Sequence, residues 1–391
     1  MVDTQIHVVI DNGTGYMKGG FSGENAPRAV FPTLIGTPKE NKLLTEKNIP
    51  RIIGQEALEK IGMANVRNPI EKGIIKDWED MEIIWHHMLY NELRIAPDDH
   101  NIILTDIPSN TAENRGKMAQ IMFEKFNVPG LYISMTSVLA IYDAGKTSGM
   151  AVDSGEIITN FVPVYEGFAF PNAIAKSETG GQVLTEYLIK LLTEKKYNIN
   201  STTKKLKINE IKERYCRVSY DFENEIREAG EEGNLEERVK LPDGEEIILE
   251  VEKLKCPEAL FRPNFLDKTS ETNMKGLHDE CVASIQQIDV EIRKDLYSNI
   301  ILSGGNTMFE GLPERLTKEI QKLTPSAASN KVKVIALPER KYASWIGATI
   351  LSSLSNFQCM WITRAEYKET GESIVQKKMF VINVIFLFYI F

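Results

Sequence analysis

Two short apolar runs, each delivering an aspartate into a turn of small residues, constrain this chain more than any other feature. His7-Val8-Val9-Ile10 stops at Asp11-Asn12-Gly13-Thr14-Gly15, and a second apolar stretch with glycines follows from Tyr16 to Phe21. Strand, glycine turn, strand is the order of a hairpin. Further on, Gly149-Met150-Ala151-Val152 delivers Asp153 into Ser154-Gly155, and Phe161 to Tyr165 supplies the next apolar strand. A D-x-G turn is common, so either copy alone says little. Two copies 142 residues apart, each behind a strand, are what a fold of two related halves produces. At 391 residues the chain is long enough for two cores.

Between and beyond these turns, strands and helices interleave. Residues 77–93 and 112–126 place apolar side chains at helical spacing, and Pro129 ends the second helix. Residues 36–51 are polar and bounded by prolines, and read as a surface loop. Helix-like stretches fill 182–227, and 239–249 reads as a hairpin about Pro242-Asp243-Gly244. Tyr297 to Leu302 is an apolar strand running into Ser303-Gly304-Gly305. A helix then opens near Gly311-Leu312-Pro313, with proline where its missing N–H costs nothing. A last strand is expected at 332–335 and a small-residue helix at 342–357. The class is α/β.

Composition narrows the function. A net charge of −9, with no dense Lys/Arg stripe, disfavours nucleic acid as the partner. The four cysteines are scattered, with no CxxC pair, and read as thiols in a reducing compartment, which points to the cytoplasm. The N-terminus lacks the basic start and apolar core of a secretory signal. Residues 379–391 are almost wholly apolar, but a bilayer needs roughly 20 such residues. This tail therefore reads as a strand-like, aggregation-prone extension, and no membrane partner is expected.

A glycine turn lets backbone N–H groups approach phosphate oxygens. Residues 12–15 offer such donors, Thr14 a hydroxyl and Lys18 a positive charge. Asp11 and Asp153, brought face to face, would hold a hydrated Mg²⁺ or Ca²⁺, because hard cations take oxygen ligands and keep waters. Ser303-Gly304-Gly305 adds a surface free of side chains, suited to a sugar and base. Each turn taken singly reads as an ordinary tight turn, and three at strand ends favour nucleotide binding. There is no P-loop, GxGxxG, GxSxG or HExxH. His86 and His87 are adjacent on a helix, point to different sides, and read as helix-face residues.

With these residues in view, the chain resembles the actin family. The likeness runs from Val9 to Phe380. Its most specific stretches are NAPRAVFP (25–32), WHHMLYNELR (85–94), QIMFEKFNVP (120–129), DFENE (221–225), PERKYASWIG (338–347) and QCMWITRAEY (358–367). The resemblance implies an actin-like ATPase fold, ribonuclease H-like in its duplicated halves, with two lobes and four subdomains around a nucleotide cleft. The boundaries carried over are 1–32, 70–143 and 343–391 for the first subdomain and 33–69 for the second. The third takes 144–179 and 273–342, and the fourth 180–272. It implies ATP or ADP with Mg²⁺ or Ca²⁺. Gly13, Thr14, Gly15 and Lys18 would hold the phosphates, joined by the backbone of Ser154, Gly155 and Glu156. Asp11 and Asp153 would lie beside the cation. Lys212, Glu213, Gly304, Gly305 and Lys341 would line the ribose and base pocket, with Gly181 close by and Phe309 in place of the family's Tyr.

The departures bear on activity. Thr136 stands where actins carry the Gln, and Asn160 where they carry the His, that orient and activate the attacking water. Thr136 is too short to reach as far, and Asn160 lacks an imidazole's proton affinity. Losing positioning and proton transfer, each worth ~10²-fold or more, leaves hydrolysis very slow. Glu156 replaces Asp and Ile157 replaces Gly beside the phosphates, adding bulk and restricting the backbone.

Partners follow by the same resemblance: the chain itself or an actin in filaments, and actin-binding proteins. Residues 39–51, where the inserting loop falls, are Lys/Glu-rich, and the plug region at 266–276 is more polar than the family's, so filament contacts are expected to be weak. Asp143, where actins have Ala, sits at the rim of the groove flanked by Tyr142, Gly145, Thr147, Ile346, Ile350 and Leu351, and would disfavour apolar helices docking there. Two readings stay open. One is a divergent, cytoskeletal, ATP-binding filament subunit; the other is a non-polymerising actin-related module that holds nucleotide structurally. A sugar or acetate kinase of the same broad superfamily lacks a candidate catalytic carboxylate.

Overall fold

The strand Val8–Asn12 (β1) has Val8, Val9 and Ile10 fully buried, so both of its faces are covered. Burial on two faces is the mark of a parallel sheet flanked by helices. β1 runs antiparallel to β2 (Tyr16–Phe21), which pairs with β3 (Ala29–Pro32). On its other side β1 pairs in parallel with β4 (Ile102–Asp106), and β4 in parallel with β5 (Gly130–Met135). The short strand Ile362–Thr363 closes that edge antiparallel to β5.

Strand alternation divides the core of this unit. Val8, Ile10, Ile102 and Leu104 pack with Trp85 and Met88 on one side. Val9 and Ile103 pack with Leu139 and Trp345 on the other. Trp85 belongs to the helix Trp78–His86, Leu139 to Thr136–Asp143 and Trp345 to Ala343–Ser353.

These coordinates are a computed structural model that describes residues 6–39, 51–232, 235–266 and 274–378. Two compact units emerge. The first takes the described residues to Ser148, with 164–169 and those from Tyr342 onward; the second takes 149–163 and 170–341. Most of the inserting loop, most of the plug region and the whole apolar tail lie outside the described residues.

In the second unit β6 (Gly149–Ser154) lies between β7 (Thr159–Tyr165) and β8 (Ile300–Ser303), and β8 pairs with β9 (Val334–Ile335). The pairings β6–β8 and β8–β9 are parallel. Met150, Val152 and Phe161 pack into one core with Leu184, Leu188, Ile208 and Leu312. Those four come from the helices Gly181–Glu194, Thr202–Tyr215 and Leu312–Leu323. The order β2–β1–β4–β5 of the first unit thus recurs as β7–β6–β8–β9 in the second. In each, the strand bearing the D-x-G aspartate sits between the strand that follows it and a parallel neighbour. This is the duplication that the paired turns imply.

Some local expectations change. The strand Ile35–Pro38 runs into the stretch expected as loop from residue 36, pairing with Ile52–Ile53 and Ala64–Arg67; its proline lies past the residues paired with Ile52–Ile53, where among the described residues the strand is paired on one side only and a proline is tolerated. Tyr297 and Ser298 end the helix Val290–Ser298 rather than opening β8. The helix at Trp78 passes into a π-helical segment, His87–Glu92. The His86 ring lies tilted against Tyr90 while His87 meets Phe31 edge-on, so the two histidines do face different ways. Among the described residues no helix is long and apolar enough to cross a membrane.

Candidate functional site

In the first unit the site grows from the C-terminal end of β1. The β1–β2 register sets Asp11 opposite Lys18, and the Lys18 ammonium donates to Asp11 Oδ2 at 2.6 Å. Ile10 pairs with Leu104 across the parallel neighbour, which brings Thr105 beside Asp11. Thr105 Oγ1 donates to Asp11 Oδ1 at 2.7 Å and itself accepts from the Asn12 N–H at 2.9 Å. Asp11 is 4% exposed, so both carboxylate oxygens are satisfied within the protein, as a buried charge requires.

The turn that follows is fastened through its carbonyls. Thr33 Oγ1 donates to Gly13 O (2.6 Å), Asn68 Nδ2 to Thr14 O (2.6 Å) and the Thr33 N–H to Gly15 O (3.0 Å). Carbonyls held on the protein side are the polarity an anion-binding turn requires. Ser134 of β5 pairs with Thr105 of β4, so the ends of three parallel strands reach one sheet edge. Thr136 is buried two residues beyond, opening the helix Thr136–Asp143.

The second unit repeats the device. Asp153 pairs in register with Ser303, whose Oγ donates to Asp153 Oδ1 at 2.8 Å. Gly304 follows with φ of +89°, and a Cβ there would collide with the Ser154 carbonyl oxygen, so only glycine fits. The Gly304 N–H donates to Arg340 O at 3.0 Å, tying the segment that carries Lys341 to this turn. Gly155 O accepts from the Gly181 N–H (3.0 Å) and Glu156 O from the Gln182 N–H (2.7 Å), which docks the start of the helix Gly181–Glu194 onto the Asp153 turn.

Lys212 is buried and donates to Gly181 O at 2.7 Å and Thr185 Oγ1 at 2.9 Å. Burial pushes the Glu156 carboxyl above its ordinary range; the Lys212 charge opposes that shift and Glu213 adds to it.

Asp153, Ser154, Gly155, Glu156, Gly181, Lys212 and Gly304 are therefore contiguous. Gly305 has open space about it, and Lys341 and Glu213 are exposed, Glu213 accepting from Asn209 at 2.9 Å. Phe309 is buried and packs with the apolar core of this unit. Asn160 is buried in β7, in register with Lys176. The hydroxyls of Thr105 and Ser303 and the carboxamide of Asn306 were not among the expected site residues. Ser303 and Asn306, on either side of Gly304 and Gly305, were near a signal; Thr105 was not.

Among the described residues no group of three or more His, Cys, Asp or Glu is placed to hold a metal ion. A cation served by Asp11 or Asp153 must complete its shell with water and ligand oxygens, which suits Mg²⁺ and Ca²⁺.

Fold and site together define an α/β protein of two topologically matched halves, each ending its first strand in a hydroxyl-held aspartate beside a glycine turn. The actin family model matches residues 2–380, and this chain belongs to the actin family.

Proposed function

We propose that the chain is a divergent actin that binds ATP or ADP with Mg²⁺ or Ca²⁺ and hydrolyses ATP slowly or not at all. The observation that carries this reading is the repeated pairing of a strand-end aspartate with a hydroxyl on its parallel neighbour: Asp11 with Thr105, and Asp153 with Ser303. A bound divalent cation would draw charge from the phosphate oxygens. Asp11 and Asp153 supply the carboxylates toward it, while Lys18, Thr14 and the backbone of Gly13, Gly15 and Ser154 to Glu156 hold the phosphates. Gly181, Lys212, Glu213, Gly304, Gly305, Phe309 and Lys341 form the nucleoside end.

Slow turnover rests on Thr136 and Asn160. Neither the Thr136 hydroxyl nor the Asn160 carboxamide takes up a proton near neutral pH, and Asn160 is only 2% exposed. The chain therefore holds nucleotide chiefly as a structural ligand, in the cytoplasm and as part of the cytoskeleton. The four-subdomain division belongs to the same reading.

Filament contacts are weakened by the charged and polar character of residues 39–51 and 266–276. In the first unit Ile350 is exposed and Tyr142 and Ile346 are half-buried around Asp143, an apolar rim with a carboxylate set into it. Actin-binding proteins that dock apolar helices there bind with reduced affinity.

Purification under native conditions, nucleotide analysis of the released ligand and a phosphate-release assay test this reading. Bound adenine nucleotide with turnover far below that of a conventional actin supports it. Absence of nucleotide binding, or actin-like turnover, contradicts it. Pelleting with Mg²⁺ and salt, with and without conventional actin, decides between the filament subunit and the non-polymerising module.

A further inference from the structure

We propose that Asn306 determines ligand specificity: its carboxamide oxygen accepts a hydrogen bond from a donor on the nucleoside half of the nucleotide. The inference rests on the nucleotide-binding reading above and says which part of the ligand this corner of the second unit reads.

Asn306 lies in the short turn Gly305–Thr307, directly after Ser303 and Gly304, and is 7% exposed. Its orientation is fixed by a relay that ends on a carbonyl. Thr159 Oγ1 donates to Thr179 O at 2.7 Å. With its proton so used, Thr159 accepts from Ser154 Oγ, 2.6 Å away. Ser154 must then accept from Asn306 Nδ2, at 2.9 Å. One N–H of the Asn306 amide is thereby committed, which fixes the orientation of the carboxamide, and Oδ1 has no partner among the described residues. A buried acceptor left without a donor is costly, and such atoms call for a water or a ligand.

The neighbourhood tells which kind of ligand. A Cβ on Gly181 would lie 3.3 Å from Glu156 Oε2, 3.3 Å from Lys212 Nζ and 3.7 Å from Asn306 Oδ1. Three polar atoms thus surround one point that glycine leaves free. Lys212 is already engaged with Gly181 O and Thr185 Oγ1. That leaves Lys212 one N–H; the other two groups are a carboxyl and the Asn306 carboxamide oxygen, and Oδ1 can only accept. Phosphate oxygens carry no proton to offer Oδ1 near neutral pH. Ribose hydroxyls and the exocyclic amine of adenine are donors, so the nucleoside belongs here.

The test measures Mg²⁺-dependent binding of ATP, 2′-deoxy-ATP, 3′-deoxy-ATP and purine riboside triphosphate to the parent chain and to Asn306→Leu, with Asn306→Ala as a second variant of smaller volume. The expected result is a roughly three- to tenfold loss of ATP affinity in the variants, and no loss for the one analogue that lacks the donor Asn306 reads. That analogue identifies the donor as a ribose hydroxyl or the base amine. Equal loss for all four ligands, or no loss for any, overturns the proposal and leaves Oδ1 to an ordered water only. Failure of the parent chain to bind ATP would instead remove the nucleotide reading itself.

Discussion

Thr105 Oγ1 donates to Asp11 Oδ1 at 2.7 Å, the same relationship, on the same parallel-neighbour strand, as Ser303 Oγ to Asp153 Oδ1 at 2.8 Å. Both hydroxyls donate, so each fixes which carboxylate oxygen is tied to the neighbouring strand and which is turned away from it. A hydrogen bond to a charged group contributes about 1.5–3 kcal/mol. Thr105→Val and Ser303→Ala should each raise the dissociation constant for Mg²⁺-ATP roughly tenfold or more, read by calorimetry. Values within twofold of the parent would show that the hydroxyls do not position the aspartates.

Lys18 is the ammonium that balances Asp11, and the pair is largely buried. Removing one partner of such a pair leaves an uncompensated charge, at a cost of about 3 kcal/mol or more. Lys18→Met should therefore destabilise the chain in urea unfolding more than Lys18→Met combined with Asp11→Asn. Equal loss in the single and double variants would mean the pair adds little.

Gly304 combines a left-handed backbone with contact against the Ser154 carbonyl. Gly304→Ala should lower unfolding free energy by at least about 2 kcal/mol. Gly305→Ala, where a Cβ meets open space, should cost much less. Similar losses at the two positions would contradict the close approach.

Glu156 gives a pH dependence whose sign is fixed. Its folded carboxyl titrates above the ordinary value of 4.5, chiefly through burial. Between that value and the raised one, the folded chain keeps a proton that the unfolded chain has released. Stability contributed here is present below pH 4.5 and falls as pH rises through the window. Glu156→Gln removes the slope. The melting temperature of the ligand-free variant should equal the parent's near pH 4 and exceed it near pH 7. A gap that does not grow with pH would refute this.

Local features of the chain were legible in the sequence because their signals are local. The strand before Asp11, its glycine turn and β2 lie within one hairpin, and Asp153 stands at the end of its own apolar run. Thr105 was not legible, because its role depends on the β1–β4 register, set by strands about 90 residues apart. Ser303 was read as part of a bare surface for a sugar, whereas its hydroxyl is committed to Asp153. Asn306 looked like any turn residue until the relay through Ser154 and Thr159 fixed which way its carboxamide points. Ile35–Pro38 was hidden by its polar end and its proline.

Under the proposed function, Asp11 and Asp153 serve one metal-bound nucleotide. A double-mutant cycle on Mg²⁺-ATP affinity, using Asp11→Asn, Asp153→Asn and the pair, tests it most directly. If both act on the same cation, the losses are not additive, and the coupling amounts to about 1 kcal/mol or more. Strict additivity, or unchanged Mg²⁺ dependence in either single variant, would mean that the two aspartates serve separate ends.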